Sequence, residues 1–139
     1  MLDFSAFVQA ASDAIIAADA AGKIIFWNAA AMRIFGFSEA EALGQSLDLI
    51  IPERFRARHW EGYRQVMSTG KSKYVAEVLR VPARDKEGRP LSIAFTVTLI
   101  GSSKEGGRVI AAIARDETTR WNEERELKRR LAELEKSDK

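Results

Sequence analysis

The alternation of apolar and polar residues predicts five strands. In residues 91–99 every second position is apolar, which is the spacing of a strand with one buried face. Residues 14–18 and 23–27 are short apolar runs on either side of a turn, and together they predict a hairpin. Residues 74–81 and 108–114 predict two further strands, and the second of these is apolar enough to lie at the centre of a sheet.

Capping residues mark short helices between these strands. Asn28 precedes an apolar segment that Gly36 ends, and an asparagine at that position can accept a free backbone N–H group of the first helical turn. Ser38 and Glu41 have the spacing of a capping box, which predicts a second short helix. Residues 2–11 predict a short amphipathic helix that packs on a neighbour, because so short a helix is marginal alone.

The longest internal helix is predicted between Pro52 and Gly70. Proline suits the first turn of a helix, and glycine suits the residue that ends one. His59, the only histidine of the chain, shares a face with Tyr63 and Val66 because the three recur at helical spacing. A lone histidine on such a face is more often an ordinary, partly buried side chain than a ligand, so the pattern alone leaves both interpretations open.

Residues 117–139 contain neither glycine nor proline and are densely charged, which predicts a helix. Leu127, Leu131 and Leu134 are four and three residues apart, which is the spacing of a short heptad seam. We expect this amphipathic helix to pair with a second copy of itself as a coiled coil. The order of elements predicts an α+β fold, a five-stranded antiparallel sheet with helices on one face, followed by this C-terminal helix.

The amino-acid composition argues against several classes of function. The 22 Lys and Arg residues are interleaved with 20 Asp and Glu residues, and the net charge of +2 does not favour a nucleic-acid surface. The absence of cysteine excludes disulfides, thiolate metal sites, thiol nucleophiles and thiol-adduct flavin chemistry. There is no apolar run long enough to cross a membrane and no secretory signal, so we expect a cytoplasmic protein. No catalytic motif is present, and we expect no enzymatic activity.

The order of turn residues, helix caps and glycines along the chain resembles that of the PAS domain. The resemblance lies in residues 19–28, 35–38, 85–88 and 116–118, together with Gly44. It covers nearly all of the chain before the last helix. It implies a PAS fold, a role in sensing and signal transduction, and a C-terminal signalling helix.

The division that follows is a PAS sensor domain over residues 1–116, with an N-terminal cap helix, and a coiled-coil linker helix over residues 117–139. The resemblance also implies a homodimer formed through the N-terminal and C-terminal helices. A histidine kinase or another effector module would be the downstream partner.

The long helix is similar to that of the haem-binding oxygen-sensor subset of the family, the FixL/DosP-like domains. In that subset the proximal haem ligand lies about eleven residues before the end of the helix, and His59 stands at that distance from Gly70. This implies haem b bound through His59 as the proximal iron ligand, with a diatomic gas or redox state as the signal. The same register places Tyr74, Leu79, Phe95 and Val97 in the distal pocket, and we expect the cofactor also to contact Tyr63, Val66, Val78 and Ile110. The arginines near the propionates in that subset are not matched in register: Gln65 and Lys73 occupy their places, with Arg64 and Lys71 beside them, and we expect Arg64 and Lys73 near the propionates.

The chain departs from that subset on the distal side of the pocket. Leu79 stands where the FixL-like domains have an arginine, and Arg80 is one residue later, which places it on the opposite face of a strand. Glu77 stands where the DosP-like domains have a methionine ligand. We therefore expect an open or water-filled distal side, with Tyr74 as a hydrogen-bond donor.

Two other functions fit the same residues. A cofactor-free PAS module for dimerisation and signal relay would fill its core with its own side chains. A non-covalent FAD redox sensor would need no cysteine. The colour of the purified protein distinguishes the three.

Overall fold

A computed structural model describes residues 1–71, 77–103 and 107–137. Five antiparallel strands form one sheet in the order β2-β1-β5-β4-β3. The strands are β1 (Ala14–Ala18), β2 (Ile24–Trp27), β3 (Leu79–Arg84), β4 (Pro90–Ser103) and β5 (Gly107–Asp116). The helices are α1 (Phe4–Ala10), α2 (Ala29–Phe35), α3 (Glu39–Ala42), α4 (Glu53–Thr69) and α5 (Thr118–Ser137), with a 3-10 turn at Leu47–Ile50. The predicted five-stranded α+β fold is confirmed, and β5 is the central strand.

Local signals set the ends of the short helices as predicted. The Asn28 side chain accepts a hydrogen bond from the Ala31 N–H at the start of α2. Ser38 and Glu41 form the reciprocal bonds of a capping box on α3. Gly70 ends α4 at a φ of 72°, a left-handed conformation that glycine adopts without a steric penalty.

The third strand differs from its prediction at both ends. It begins at Leu79 and continues to Arg84, whereas the pattern predicts residues 74–81. The part of that prediction from residue 74 to 76 lies outside the described residues. Pro82 does not end the strand, because β3 is an edge strand, where a missing N–H leaves no gap in the sheet.

The packed core lies where β1, β2 and α2 meet. Trp27, Phe35 and Asn28 are each about 1% exposed, and the rings of Trp27 and Phe35 are 5.7 Å apart. Asn28 is satisfied on both sides: Oδ1 accepts from the Ile15 and Ala31 N–H groups, and Nδ2 donates to the Val8 and Asp13 carbonyls. One buried side chain thus fixes α1, β1 and α2 to one another.

The terminal helices leave apolar side chains in solvent. Phe4 and Phe7 on α1 are 70% and 60% exposed, so the predicted apolar face of this helix does not pack within one chain. Instead α1 is tethered through the Asn28 bond to Val8 and through the Gln9 side chain, which accepts from the Ala29 N–H. The seam leucines of α5 are also exposed, and the coiled coil stays a prediction. Within the described ranges, no helix is long and apolar enough to span a membrane.

Candidate functional site

A cavity of about 780 Å³ lies between α4 and the inner face of the sheet. This volume is in the range of small-molecule and cofactor sites. The sheet side of the cavity is entirely apolar among the described residues. It consists of Ile16, Ala18, Leu79, Val81, Pro82, Ala83, Ile93, Phe95, Val97, Ile110, Ala112 and Ala114.

The helix side of the cavity carries the polar groups. His59, Gly62 and Val66 face the cavity from successive turns of α4, because they are three and four residues apart. A Cβ placed on Gly62 would meet no atom within 4 Å, so this glycine leaves open space on the helix face between His59 and Val66. The polar and charged residues on this side are Arg58, Glu61, Gln65, Thr69 and Lys71. The two walls therefore suit a ligand that is apolar on one side and polar at its rim.

His59 is the residue with unmet bonding capacity in this wall. Its Nδ1 atom is buried and has no hydrogen-bond partner among the described residues. Burial lowers the pKa of His59 below its ordinary value of 6.5, and the Asp48 carboxylate opposes the shift only in part. The imidazole is consequently neutral at pH 7, the form that can bind a metal. Buried polar atoms without a partner are rare in native proteins, and a bound ligand is one of the usual reasons for them.

Two aromatic neighbours hold α4 in place around His59. The Trp60 indole N–H donates to Asp48 Oδ1 at 2.7 Å, and the Tyr63 hydroxyl donates to the Asp19 carbonyl at 2.5 Å. The Trp60 ring also covers Gly22, where a Cβ would lie 2.2 Å from the ring, so that only glycine fits beneath it. Burial raises the pKa of Tyr63, and its hydroxyl therefore stays a donor. These contacts attach α4 to the β1–β2 turn and to the 3-10 turn at Leu47–Ile50, and not to the strands beside the cavity.

Arg108 attaches the C-terminal end of α4. Its guanidinium donates to the Met67 carbonyl and lies against Gly70, where a Cβ would be 2.7 Å away. A cation at this position also favours the negative end of the helix dipole. The cavity is thus bounded by a helix held at its middle and at its C-terminal end.

The structure brings together most of the residues that the sequence predicts for the pocket. His59, Tyr63, Val66, Leu79, Phe95, Val97 and Ile110 all line the cavity. Their role toward a cofactor stays a prediction. Tyr74 and Lys73 lie outside the described residues.

Two predicted pocket residues lie elsewhere. Val78 is 53% exposed and does not line the cavity, whereas the next residue, Leu79, does. Arg64 is also outside the cavity, since it lies on the solvent side of α4 and pairs with Glu61 at 3.2 Å. The structure therefore places Val78 and Arg64 outside the cavity that the other predicted residues line, and their contact with a cofactor stays a prediction.

The sequence prediction missed other parts of the wall. Arg58 and Thr69 line the cavity, as do Ile50 and Ile51, which directly precede α4. The distance of Thr69 from Val66, three residues on the same helix face, is a signal that could have found it. No local sequence pattern indicates that Asp48 accepts a hydrogen bond from Trp60, because the two residues are twelve positions apart.

Among the described residues, no group of three or more His, Asp or Glu side chains is placed to hold a metal ion. An iron at His59 would therefore need ligands that the described residues do not provide. Haem brings such ligands with it, as four ring nitrogens, and leaves the axial position to a protein side chain. The donor set here, one neutral imidazole above an apolar cavity, fits that group.

Comparison with known proteins places this architecture in a family. The sequence profile of the PAS fold matches residues 2–116. Over 124 residues the chain is 32% identical to the sensor protein FixL of Bradyrhizobium diazoefficiens, a match that covers 88% of this chain and 23% of the relative. Over 94 residues it is 27% identical to the oxygen sensor protein DosP of Escherichia coli, covering 68% of this chain and 12% of the relative. The chain spans less than a quarter of the length of either relative.

Solved structures agree on the fold. The PAS domain of a protein from Colwellia psychrerythraea superposes with a TM-score of 0.71 at 19% identity, covering 84% of this chain and 95% of that one. An RNA-binding Light-Oxygen-Voltage receptor superposes with a TM-score of 0.73 at 18% identity, covering 93% of this chain and 36% of that one. Together with the profile match over residues 2–116, these findings show that the chain belongs to the PAS family of sensory and signalling domains.

Proposed function

We propose that this PAS domain binds haem b in the cavity between α4 and the sheet, with His59 as the axial ligand, and senses a diatomic gas or a redox state. The observation that carries the proposal is the state of His59. A neutral imidazole with a buried, unpartnered nitrogen lines a cavity of about 780 Å³. The similarity to FixL and to the oxygen sensor protein DosP supports the same assignment.

The polar rim of the cavity suits the acidic groups of haem. Arg58 and Lys71 line the helix side, and each supplies a cation within reach of that rim. The family resemblance assigns the same contact to Arg64, which lies outside the cavity, and to Lys73, which lies outside the described residues. Gln65 and Thr69 add neutral polar groups on the same side.

The apolar sheet wall sets the environment of the reacting position. Bound haem supplies an iron with a position open to a diatomic gas and a redox couple, and the polarity of the opposite wall tunes both. Leu79, Phe95 and Val97 present only hydrocarbon to that space. Their role is to leave room for a small ligand.

The output of the domain would pass through α5. This helix follows β5 almost directly, and its seam residues Leu127, Leu131 and Leu134 are 58% to 64% exposed. We propose that a homodimer covers this seam and that α1, with its exposed phenylalanines, takes part. We propose a histidine kinase or another effector module as the downstream partner that receives this signal.

Haemin titration of the purified chain tests the proposal. The wild type should develop a Soret band that is sharper than that of free haemin and shifted from it, and that saturates at one haem per chain; His59→Ala should lose this band or shift it. Arg64→Ala is the matched control, because Arg64 is on the same helix but outside the cavity. A wild type without a Soret band, or a His59→Ala spectrum identical to that of the wild type, contradicts the proposal.

The colour of the protein as purified separates the remaining functions. A yellow protein whose absorbance is released by denaturation would identify the non-covalent FAD sensor. A colourless dimer that leaves the absorption spectrum of added haemin unchanged, and that dissociates when residues 120–139 are removed, would identify the cofactor-free relay module.

A further inference from the structure

Edge strand β3 connects the cavity to the outer face of the sheet in two consecutive residues. Leu79 lines the cavity and pairs in register with Phe95, which lines it too. Arg80 pairs in register with Ala94 and points to the opposite face, because successive side chains of a strand alternate. A displacement of β3 at Leu79 therefore moves the Arg80 side chain as well.

Arg80 contacts the first residue after the sheet. Its Nε atom lies 3.3 Å from Glu117 Oε2, and Glu117 directly precedes α5. The Glu117 side chain is only 17% exposed, and its other oxygen is 3.8 Å from Arg120. Arg120 in turn bonds Glu124 at 3.2 Å. The ion pair thus begins a chain of charges that runs along the first two turns of α5.

Strand β4 holds the same point of α5 through the backbone. The Glu117 N–H donates to the Ser92 carbonyl at 2.8 Å, and the Ser92 N–H donates to the Thr118 hydroxyl at 2.9 Å. These bonds form a fixed pivot on β4, which lies between β5 and β3 in the sheet. The Arg80 contact reaches the same pivot from β3, at the edge of the sheet.

We propose that the Leu79–Arg80 pair relays occupancy of the cavity to α5. An occupant that presses on Leu79 displaces β3, the Arg80–Glu117 ion pair changes, and α5 reorients about the Ser92 pivot. The inference rests on the proposed function in one respect, that the cavity is the site where the signal is received. Arg80 is 59% exposed, so the pair contributes little to stability and can break without unfolding the domain.

A bulky side chain at residue 79 imitates an occupant and makes the test independent of haem. Amide hydrogen exchange is measured on the full chain for wild type, Leu79→Trp, Arg80→Met and the double variant. Leu79→Trp should speed exchange in residues 117–124 by at least about threefold. Arg80→Met should speed it to a similar extent, and Leu79→Trp should add nothing further in the Arg80→Met background.

Val97→Trp is the matched control, because Val97 lines the same cavity from β4 and has no contact with the Arg80–Glu117 pair. It should fill space without changing exchange at the root of α5. If Leu79→Trp raises exchange throughout the domain, Leu79→Phe replaces it in the same cycle. The relay is overturned if the residue 79 variant speeds exchange in residues 117–124 as much in the Arg80→Met background as without it. It is also overturned if that variant has no effect on this exchange in the wild-type background.

Haemin titration of Arg80→Met separates the relay from the proposed function. Arg80 does not line the cavity, so the variant should bind haemin as the wild type does. Failure of both proteins to show a Soret band contradicts haem binding and leaves the exchange cycle as the test of the relay. Loss of haemin binding in Arg80→Met alone overturns the relay, since Arg80 would then belong to the binding site.

Discussion

Helices α2 and α4 differ in how closely they approach their neighbours. α2 has seven residues and buries three of them, including Ala30 and Ala31, whose small side chains allow close packing. α4 has 17 residues and fully buries only Tyr63. The long helix is held by hydrogen bonds from Trp60 and Tyr63 to the turn and loop beside it, and not by a continuous apolar stripe. Anchoring a helix at its contacts with loops is how this chain encloses a cavity without losing its fold.

The difference in packing between the two regions is tested by removing one aromatic side chain from each. Trp27→Ala should lower the free energy of unfolding by about 3–5 kcal/mol, because a fully packed ring leaves a void. Phe95→Ala should cost only about 1–2 kcal/mol, since one side of that ring already faces the cavity. Urea denaturation of the two variants measures both values. Equal losses would mean that α4 covers its side of the core as tightly as α2 does.

Haemin bound in the cavity should supply packing contacts that the α4 side of the molecule lacks, and should therefore stabilise the protein. Haemin at a hundred times its dissociation constant should raise the free energy of unfolding of the wild type by about 2.7 kcal/mol. His59→Ala should gain much less, and Arg64→Ala should gain as much as the wild type. Thermal or urea unfolding with and without haemin provides the measurement. A gain in His59→Ala equal to that of the wild type would remove His59 from the site.

The pH dependence of haemin binding reports the environment of His59. A proton competes with a metal for the ring, and burial places the pKa of His59 below 6.5. Affinity should therefore be constant from pH 8 to 6.5 and should fall below the lowered pKa, by at most about tenfold per unit of pH. Titrations across pH 8 to 5 measure this. Affinity that already weakens between pH 8 and 7 would require a raised pKa and would contradict a buried, neutral histidine.

The same shift predicts how the apo protein responds to acid. The unfolded chain binds a proton at His59 at a higher pH than the folded chain does. The stability that neutral His59 contributes is thus present above 6.5 and is lost as the pH falls toward the folded pKa. His59→Gln should remove this component from a series of urea denaturations.

A smaller effect is expected when the hydrogen bond that attaches α4 to the β1–β2 turn through Tyr63 is removed. Tyr63→Phe keeps the ring contacts with His59 and Trp60 but removes the donor to the Asp19 carbonyl. The loss of this hydrogen bond should cost about 1 kcal/mol in urea denaturation. It should also weaken haemin binding slightly, because α4 is less firmly held. A variant as stable as the wild type would mean that Trp60 and Arg108 suffice to place the helix.

Much of the fold follows from local signals. Asn28, Ser38, Glu41 and Gly70 act within a few residues of their own positions, and the structure confirms each as a helix boundary. Strict alternation in residues 91–99 likewise gave the inward face of β4. Such signals depend on backbone geometry that any fold must satisfy, so the sequence reveals them directly.

The candidate site depends on contacts that the sequence does not display. The same apolar side chains could have filled a core, and only the position of α4 leaves a cavity among them. That position is set by Trp60 with Asp48 and by Arg108 with Met67, pairs separated by 12 and 41 residues. The positions of Val78 and Arg64 outside the cavity could not be predicted for a related reason, because membership of a strand or helix does not say which face meets the cavity.

The central claim is that the imidazole of His59 itself binds the haem iron. Its most direct test is the Soret spectrum of His59→Gly with haemin, recorded before and after addition of free imidazole. If His59 is the ligand, the spectrum without imidazole differs from that of the wild type, and the wild-type band returns when imidazole enters the space that the side chain left. A His59→Gly spectrum that matches the wild type before imidazole is added would contradict it.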